Sequence, residues 1–280
     1  MIRLTGKEVA EAIKGIVAEG LEKLGGYIPT LCIVRVGERP DDLSYERGSV
    51  KRMSALGLNV RTEAFPADIS EEAFEEGFLR LNRDPSVDGI LLLRPLPKTL
   101  DEKRITRLID PKKDLDCIGP ENLAGVFSGE EDCFAPCTAE AVIRTIRHYG
   151  IPTAGKRAVV IGRSMVVGKP LAMMLLKENA TVTLCHTKTK DLKAELKNAD
   201  IVAAAAGKAR MIDASYTRGD AVVLDVGINV DADGRLCGDA DTDSFAETDC
   251  MVTPVPGGIG AVTTAVLAEH LVRAALRSGK

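Results

Sequence analysis

The stretch Val159-Val160-Ile161-Gly162-Arg163-Ser164-Met165-Val166-Val167-Gly168-Lys169-Pro170 has the residue order of a phosphate-binding turn. An apolar strand runs into a glycine turn and then a helix with proline in its first turn, a geometry that aims unpaired backbone N–H groups at an anion. Gly162 and Gly168 allow close backbone approach, with Arg163 and Ser164 beside them. The spacing is not a strict G-x-G-x-x-G, so an ordinary strand-to-helix turn accounts for the same residues at this stage. The next apolar stretch, TVTLCH, narrows the ligand. Folds that bind NAD place an Asp or Glu at the end of the second strand for the ribose hydroxyls, whereas this one ends in His186-Thr187-Lys188-Thr189-Lys190. That surface suits a 2′-phosphate, so NADP is expected over NAD, with Lys190 read as part of a solvated loop. Asp225-Val226-Gly227-Ile228-Asn229 and the run from Thr253 to Gly260, TPVPGGIG, also follow apolar stretches. Parallel sheets bind ligands on such loops, although turn-making alone explains the same prolines and glycines.

These residues need a β/α scaffold, and one is legible almost from end to end. Thr5 and Glu8 form a capping-box pattern before a helical stretch to about Leu24, and TLCIVRV (Thr30 to Val36) reads as a buried strand. A helix over roughly Asp42 to Leu56, the strand NVRTEAF, a helix capped by Ser70 and the apolar run Gly89 to Leu93 follow. A proline-rich, charged stretch from Arg94 to Leu123 interrupts the rhythm, as functional loops or segments with short helices do. Thr138 is placed to cap a helix through Tyr149, after which RAVVIG, TVTLCH, DIVAAAA and AVVLDVG form a second series. Such alternation predicts α/β architecture, with parallel strands covered by helices on both faces. At 280 residues two domains are expected. Residues 1–140 form the first, completed by a C-terminal helix within 261–280, and residues 141–260 form the second.

Composition excludes several classes. With 45% apolar and 28% charged residues the chain is globular rather than disordered, and a net charge of −4 lacks the basic excess that binds nucleic acid. Met1 to Gly20 carries scattered charges and no continuous apolar core, so neither a signal peptide nor a membrane segment is expected, and the cytoplasm follows as the default. Seven cysteines without a CxxC pair and three histidines without ligand spacing point to reduced thiols and no metal site.

Taken together and in order, KDLD, PCT, GRSMVVGKP, CHTKT, DVGIN and TPVPGGIG resemble the methylenetetrahydrofolate dehydrogenase/cyclohydrolase family over nearly the whole chain. The resemblance implies two α/β domains, a folate-binding catalytic domain and a Rossmann-type NADP domain, with the active-site cleft between them and a homodimer as the assembly. It implies interconversion of 5,10-methylene- and 5,10-methenyltetrahydrofolate by hydride transfer, often with hydrolysis of the methenyl form to 10-formyltetrahydrofolate. Carried over by position, Tyr45, Ser49 and Asp116 occupy catalytic positions, and Tyr45, Leu93, Asp116, Pro256, Gly257 and Gly258 line the substrate. Gly162, Arg163, Ser164, Gly168, Thr187 and Ile228 line the cofactor; Thr187 stands where the family often has serine. A carboxylate such as Asp116 can accept two N–H bonds from the pterin edge, and Tyr45 offers an apolar face and a hydroxyl.

Two of those positions depart from the family. Its catalytic lysine lies four residues after the tyrosine, where this chain has Ser49, and its Q-L-P-L-P glutamine is replaced by Leu93. Lys51 lies about 240° around the helix from Tyr45, against about 40° for Ser49, and is a poor substitute. Hydride transfer needs mainly aligned reactants, whereas hydrolysis needs proton transfers that a lysine serves and a serine does not. The expectation is an NADP-dependent dehydrogenase with weak or absent cyclohydrolase activity. The rival is a bifunctional enzyme in which Arg94, Lys51 or Lys98 takes the lysine's part; a folate- or nucleotide-binding protein without turnover is the alternative of another class.

Overall fold

The computed structural model describes residues 1–280. In chain order the elements are β1 (Ile2–Arg3), α1 (Gly6–Lys23), β2 (Thr30–Val36), α2 (Pro40–Ala55), β3 (Asn59–Phe65), α3 (Glu71–Arg83), β4 (Gly89–Leu92), α4 (Glu102–Ile105) and α5 (Pro120–Ser128). There follow α6 (Cys137–His148), β5 (Arg157–Ile161), α7 (Gly168–Lys177), β6 (Thr181–Cys185), α8 (Leu192–Lys197), β7 (Ile201–Ala204) and β8 (Val222–Asp225). The short strands β9 (Asn229–Val230), β10 (Leu236–Cys237) and β11 (Met251–Val252) precede α9 (Ile259–Arg277).

The chain forms two compact units, one of Met1–Ala12, Val126–Glu131 and Pro136–Thr263, the other of Ile13–Gly125, Asp132–Ala135 and Thr264–Lys280. The second, called the folate unit after the ligand expected of it, holds a parallel sheet ordered β3-β2-β4. β2 and β4 carry continuous apolar runs, the central β2 being covered on both faces with Leu31, Cys32, Ile33 and Val34 all buried, whereas β3 at the edge alternates polar and apolar residues. Helix α3 begins as expected, with Ser70 Oγ accepting the Ala73 N–H at 3.2 Å. Its Phe74, Phe78 and Leu81 recur at helical spacing on one buried face, with Phe74 edge-on to Phe65 of β3 at 4.9 Å between ring centres.

The other unit, called the nucleotide unit after the ligand expected of it, is a six-stranded parallel sheet ordered β1-β11-β8-β7-β5-β6. From β5 the order steps to β6 on one side and through β7, β8 and β11 on the other, with β1 added at the edge, the doubly wound pattern whose ligand loops lie at the carboxyl edge. The first twelve residues belong here rather than to the expected first domain, because Ile2 and Arg3 pair in register with Met251 and Val252. Two local expectations are also corrected. Pro136, not Thr138, occupies the position preceding α6, so Thr138 lies within the first turn. The Thr5 hydroxyl donates to Glu8 Oε1 at 3.3 Å instead of receiving a backbone N–H in a full capping box. Helix α9 is long and apolar enough to cross a membrane, but 67% of its apolar window is buried within the protein.

Candidate active site

In the folate unit, α2 is fixed by charge. Arg39 Nη1 donates to the Pro95 carbonyl at 2.8 Å and Nη2 to Asp42 Oδ1 at 2.9 Å, tying the helix start to the segment after β4. One turn on, Glu46 receives Arg35 Nε from β2 at 2.8 Å and the Thr62 hydroxyl from β3 at 3.1 Å. Neighbouring Tyr45 is 40% exposed, whereas Ser49, one turn further on the same helix face, is fully buried. The Ser49 hydroxyl has no hydrogen-bond partner.

Leu93 extends β4, its N–H donating to the Val34 carbonyl at 2.9 Å, and its side chain is buried. Beside that strand runs the Asp116 segment: Ile90 donates to the Lys113 carbonyl at 2.8 Å and pairs with Asp114 in parallel. Two residues on from that bridge, Asp116 lies in the turn that follows it. Asp114 is the anchor. Its buried carboxylate accepts the Ile118 and Gly119 N–H groups at 2.8 and 2.9 Å and Asn122 Nδ2 at 3.3 Å, while burial pushes its pKa up. Between them the Leu115 carbonyl accepts Nδ1–H of buried His270 at 2.8 Å; a carbonyl only accepts, so that nitrogen carries the proton. Cys117 turns the chain immediately after Asp116 with φ of +54°, a left-handed conformation that reading the sequence missed because cysteine gives no sign of it. Tyr45 and Ser49 thus lie on the helix after β2, Leu93 directly extends β4, and Asp116 follows the bridge beside β4. The rival cations are placed otherwise: Arg94 faces Glu102 at 3.6 Å, and Lys51 and Lys98 are exposed.

In the nucleotide unit, Gly162 follows β5 with φ of +118°, and a Cβ there would strike the Ala205 carbonyl oxygen. A Cβ on Gly168 would strike the carbonyl of Gly162 itself, so the turn closes only with glycine at both positions. Arg163 and Ser164 are exposed between them, and Ser164 Oγ accepts the Val167 N–H at 3.1 Å ahead of α7. After β6, the His186 N–H donates to Thr189 Oγ1 at 2.9 Å and the Lys188 N–H to His186 Nδ1 at 3.0 Å. This knot leaves Thr187 and Lys188 exposed. After β8, Ile228 is 67% exposed. Past β11, Gly257 has φ of +99° and accepts the Gly6 N–H at 2.8 Å, and a Cβ on buried Gly258 would strike the Pro254 carbonyl; Pro256 is exposed. Thus Gly162, Arg163, Ser164, Gly168, Thr187, Ile228, Pro256, Gly257 and Gly258 all lie in this unit, on loops at the carboxyl edge of its sheet.

Residues 4–116 match the model of the tetrahydrofolate dehydrogenase/cyclohydrolase catalytic domain, and residues 136–279 match that of the family's NAD(P)-binding domain. A bifunctional protein FolD from Clostridium kluyveri is 49% identical over 279 residues, covering 99% of this chain and 98% of that one. Among solved structures, the bifunctional FolD methylenetetrahydrofolate dehydrogenase/cyclohydrolase of Campylobacter jejuni superposes with a TM-score of 0.96 at 34% identity, covering 99% of each chain. The Trypanosoma brucei methylenetetrahydrofolate dehydrogenase-cyclohydrolase, complexed with NADP cofactor and inhibitor, gives 0.92 at 32% identity, covering 100% of this chain and 99% of that one. With both domains matched in order and the fold shared throughout, the chain belongs to the tetrahydrofolate dehydrogenase/cyclohydrolase family.

Proposed function

We propose that this chain is an NADP-dependent 5,10-methylenetetrahydrofolate dehydrogenase in which methenyl hydrolysis is weak or absent. The observation that carries the second clause is Ser49, fully buried with an unpartnered hydroxyl where the family has its lysine. A buried, unpartnered alcohol is poorly suited to accept or supply the protons that water attack and ring opening require.

The dehydrogenase half asks less of the side chains. Bound NADP supplies the hydride acceptor. In this reading Asp116 holds the pterin edge, Tyr45 stacks on the substrate, and Pro256 with Gly257 and Gly258 lines the reacting region. The glycine pair at 162 and 168 keeps side chains out of the space a phosphate needs, next to the N-terminus of ten-residue α7. The loop at 186–190 has no carboxylate and presents Thr187 and Lys188, which favours NADP over NAD, with Arg163 as a further cation. Tetrahydrofolate derivatives are the partners, and the open edge of β3 supports a homodimer. The composition supports a cytoplasmic enzyme.

The bifunctional reading stays in view because the 49% identical relative is named bifunctional. Arg94, its best-placed cation, is engaged by Glu102. A paired assay of the purified chain decides: NADP-dependent methenyl formation without methenyl hydrolysis above the spontaneous rate supports the proposal. Fast hydrolysis alongside fast dehydrogenation establishes the bifunctional enzyme instead, and binding without turnover establishes a non-catalytic protein.

A further inference from the structure

We propose that Asp239 is a positioning residue of the nucleotide half-site, its buried carboxylate fixing the loop after β7 against which the Gly162 turn is built. This rests on the NADP reading of that half-site. Asp239 is fully buried, and its two oxygens gather four donors from two loops. Oδ2 accepts the Ala206 and Gly207 N–H groups at 2.6 and 3.0 Å, and Oδ1 accepts the Lys208 N–H at 2.8 Å and Asn229 Nδ2 at 2.9 Å. Three successive amides converging on one anion make the kind of backbone concavity that elsewhere binds a phosphate, here filled by the protein's own carboxylate.

The residue just before those amides is Ala205. Its N–H donates to the Ile161 carbonyl at 2.8 Å, and its own carbonyl occupies the space where a Gly162 side chain would lie. The loop that Asp239 holds is therefore the wall of the phosphate turn. Asp239 is held in turn: its N–H donates to Asp225 Oδ1 at 2.9 Å, and Asp225 also accepts the Gly227 and Ala240 N–H groups at 3.1 and 2.9 Å. A Cβ on Gly227 would strike the Asp239 carboxylate, and one on Gly238 would strike that of Asp225. The glycine of DVGIN is thus required by a carboxylate distant in sequence, and the motif's next residues carry the exposed Ile228 and the Asn229 donor.

Asp239→Asn keeps the shape but leaves one acceptor oxygen and turns an amide NH2 toward backbone donors. The test is NADP affinity by titration of the full purified chain, with KM and kcat for both reactants and the melting temperature. We expect Asp239→Asn to raise the NADP dissociation constant and KM about tenfold, the scale of one lost charge-assisted hydrogen bond, with kcat and the folate KM little changed. Asn229→Ala, which removes one donor only, should shift NADP affinity in the same direction by roughly threefold. NADP affinity unchanged in both variants, or folate KM rising equally with NADP KM, overturns the role. If Asp239→Asn fails to fold, Asn229→Ala decides alone, and unchanged affinity there overturns it. A wild-type chain that does not bind NADP overturns the underlying cofactor reading instead.

Discussion

The two half-sites are built to different standards. In the nucleotide unit, backbone and carboxylate leave no slack: glycines 162, 168, 227 and 238 each have their Cβ space occupied, and Asp225 and Asp239 between them accept seven hydrogen bonds, six from backbone N–H groups. In the folate unit the scaffold is equally firm, with Glu46 and Asp114 fully engaged, yet the chemical positions are not. Ser49 buries a hydroxyl without a partner and Leu93 buries an apolar side chain just past β4. A binding surface made of backbone tolerates almost no substitution, whereas a proton-transfer group on a helix can be replaced without disturbing the helix. Under the proposed reading, this contrast would let a fold keep one activity while losing another.

The largest expected effect breaks the rigid side. Gly162→Ala adds a Cβ against the Ala205 carbonyl at a left-handed position, a strain of about 3 kcal/mol, so kcat/KM for NADP should fall roughly a hundredfold. A change below threefold would mean the turn is looser than its geometry implies.

The next effect lies in the same network. Burial pushes the Asp225 carboxyl up to about 6 from 3.8. Its folded form therefore holds a proton that its unfolded form has released, so its contribution to stability is fullest below about pH 4 and declines as pH rises through 6. On acidification from pH 7 to pH 4.5 the wild type should gain roughly 1 to 3 kcal/mol of unfolding free energy relative to Asp225→Asn, read by denaturant titration. A difference that is flat across that window removes the claim that this carboxyl is buried in ionisable form.

Lys188→Ala should lower the preference for NADP over NAD about tenfold, read as the ratio of kcat/KM values, because an exposed cation contributes a charge-assisted contact only to the 2′-phosphate. If the ratio holds, Arg163 carries the discrimination. The smallest effect sharpens the soft side: Ser49→Ala removes an unsatisfied hydroxyl and should raise stability by about 1 kcal/mol with dehydrogenation unchanged. Loss of dehydrogenase activity would give Ser49 a role its burial does not suggest.

The β/α rhythm was legible because each long strand is either a continuous apolar run, as in β2 and β5, or an alternating one, as in β3 and β6, and helices such as α3 carry a period and a cap, as Ser70 and Phe74 illustrate. The strands β1 and β11 were not, since two residues cannot display a period; their pairing placed the N-terminus in the nucleotide unit. Motif order pointed to Tyr45, Asp116 and the glycine turns, and Ser49 lies four residues after that tyrosine. Its burial was invisible, because what covers a side chain is decided by elements far along the chain. Asp239 escaped notice for the same reason: within GDADTD it resembles surface acid, and the amides it binds lie more than thirty residues earlier.

The central claim is that hydride transfer persists while hydrolysis does not, and it is tested most directly by following methenyltetrahydrofolate decay in the presence of wild type and of Ser49→Lys. We predict that wild type leaves the spontaneous rate unchanged while turning over NADP, and that the lysine variant accelerates decay by about 10² or more, the scale of one restored general acid–base group. Wild-type acceleration of that size would contradict the account.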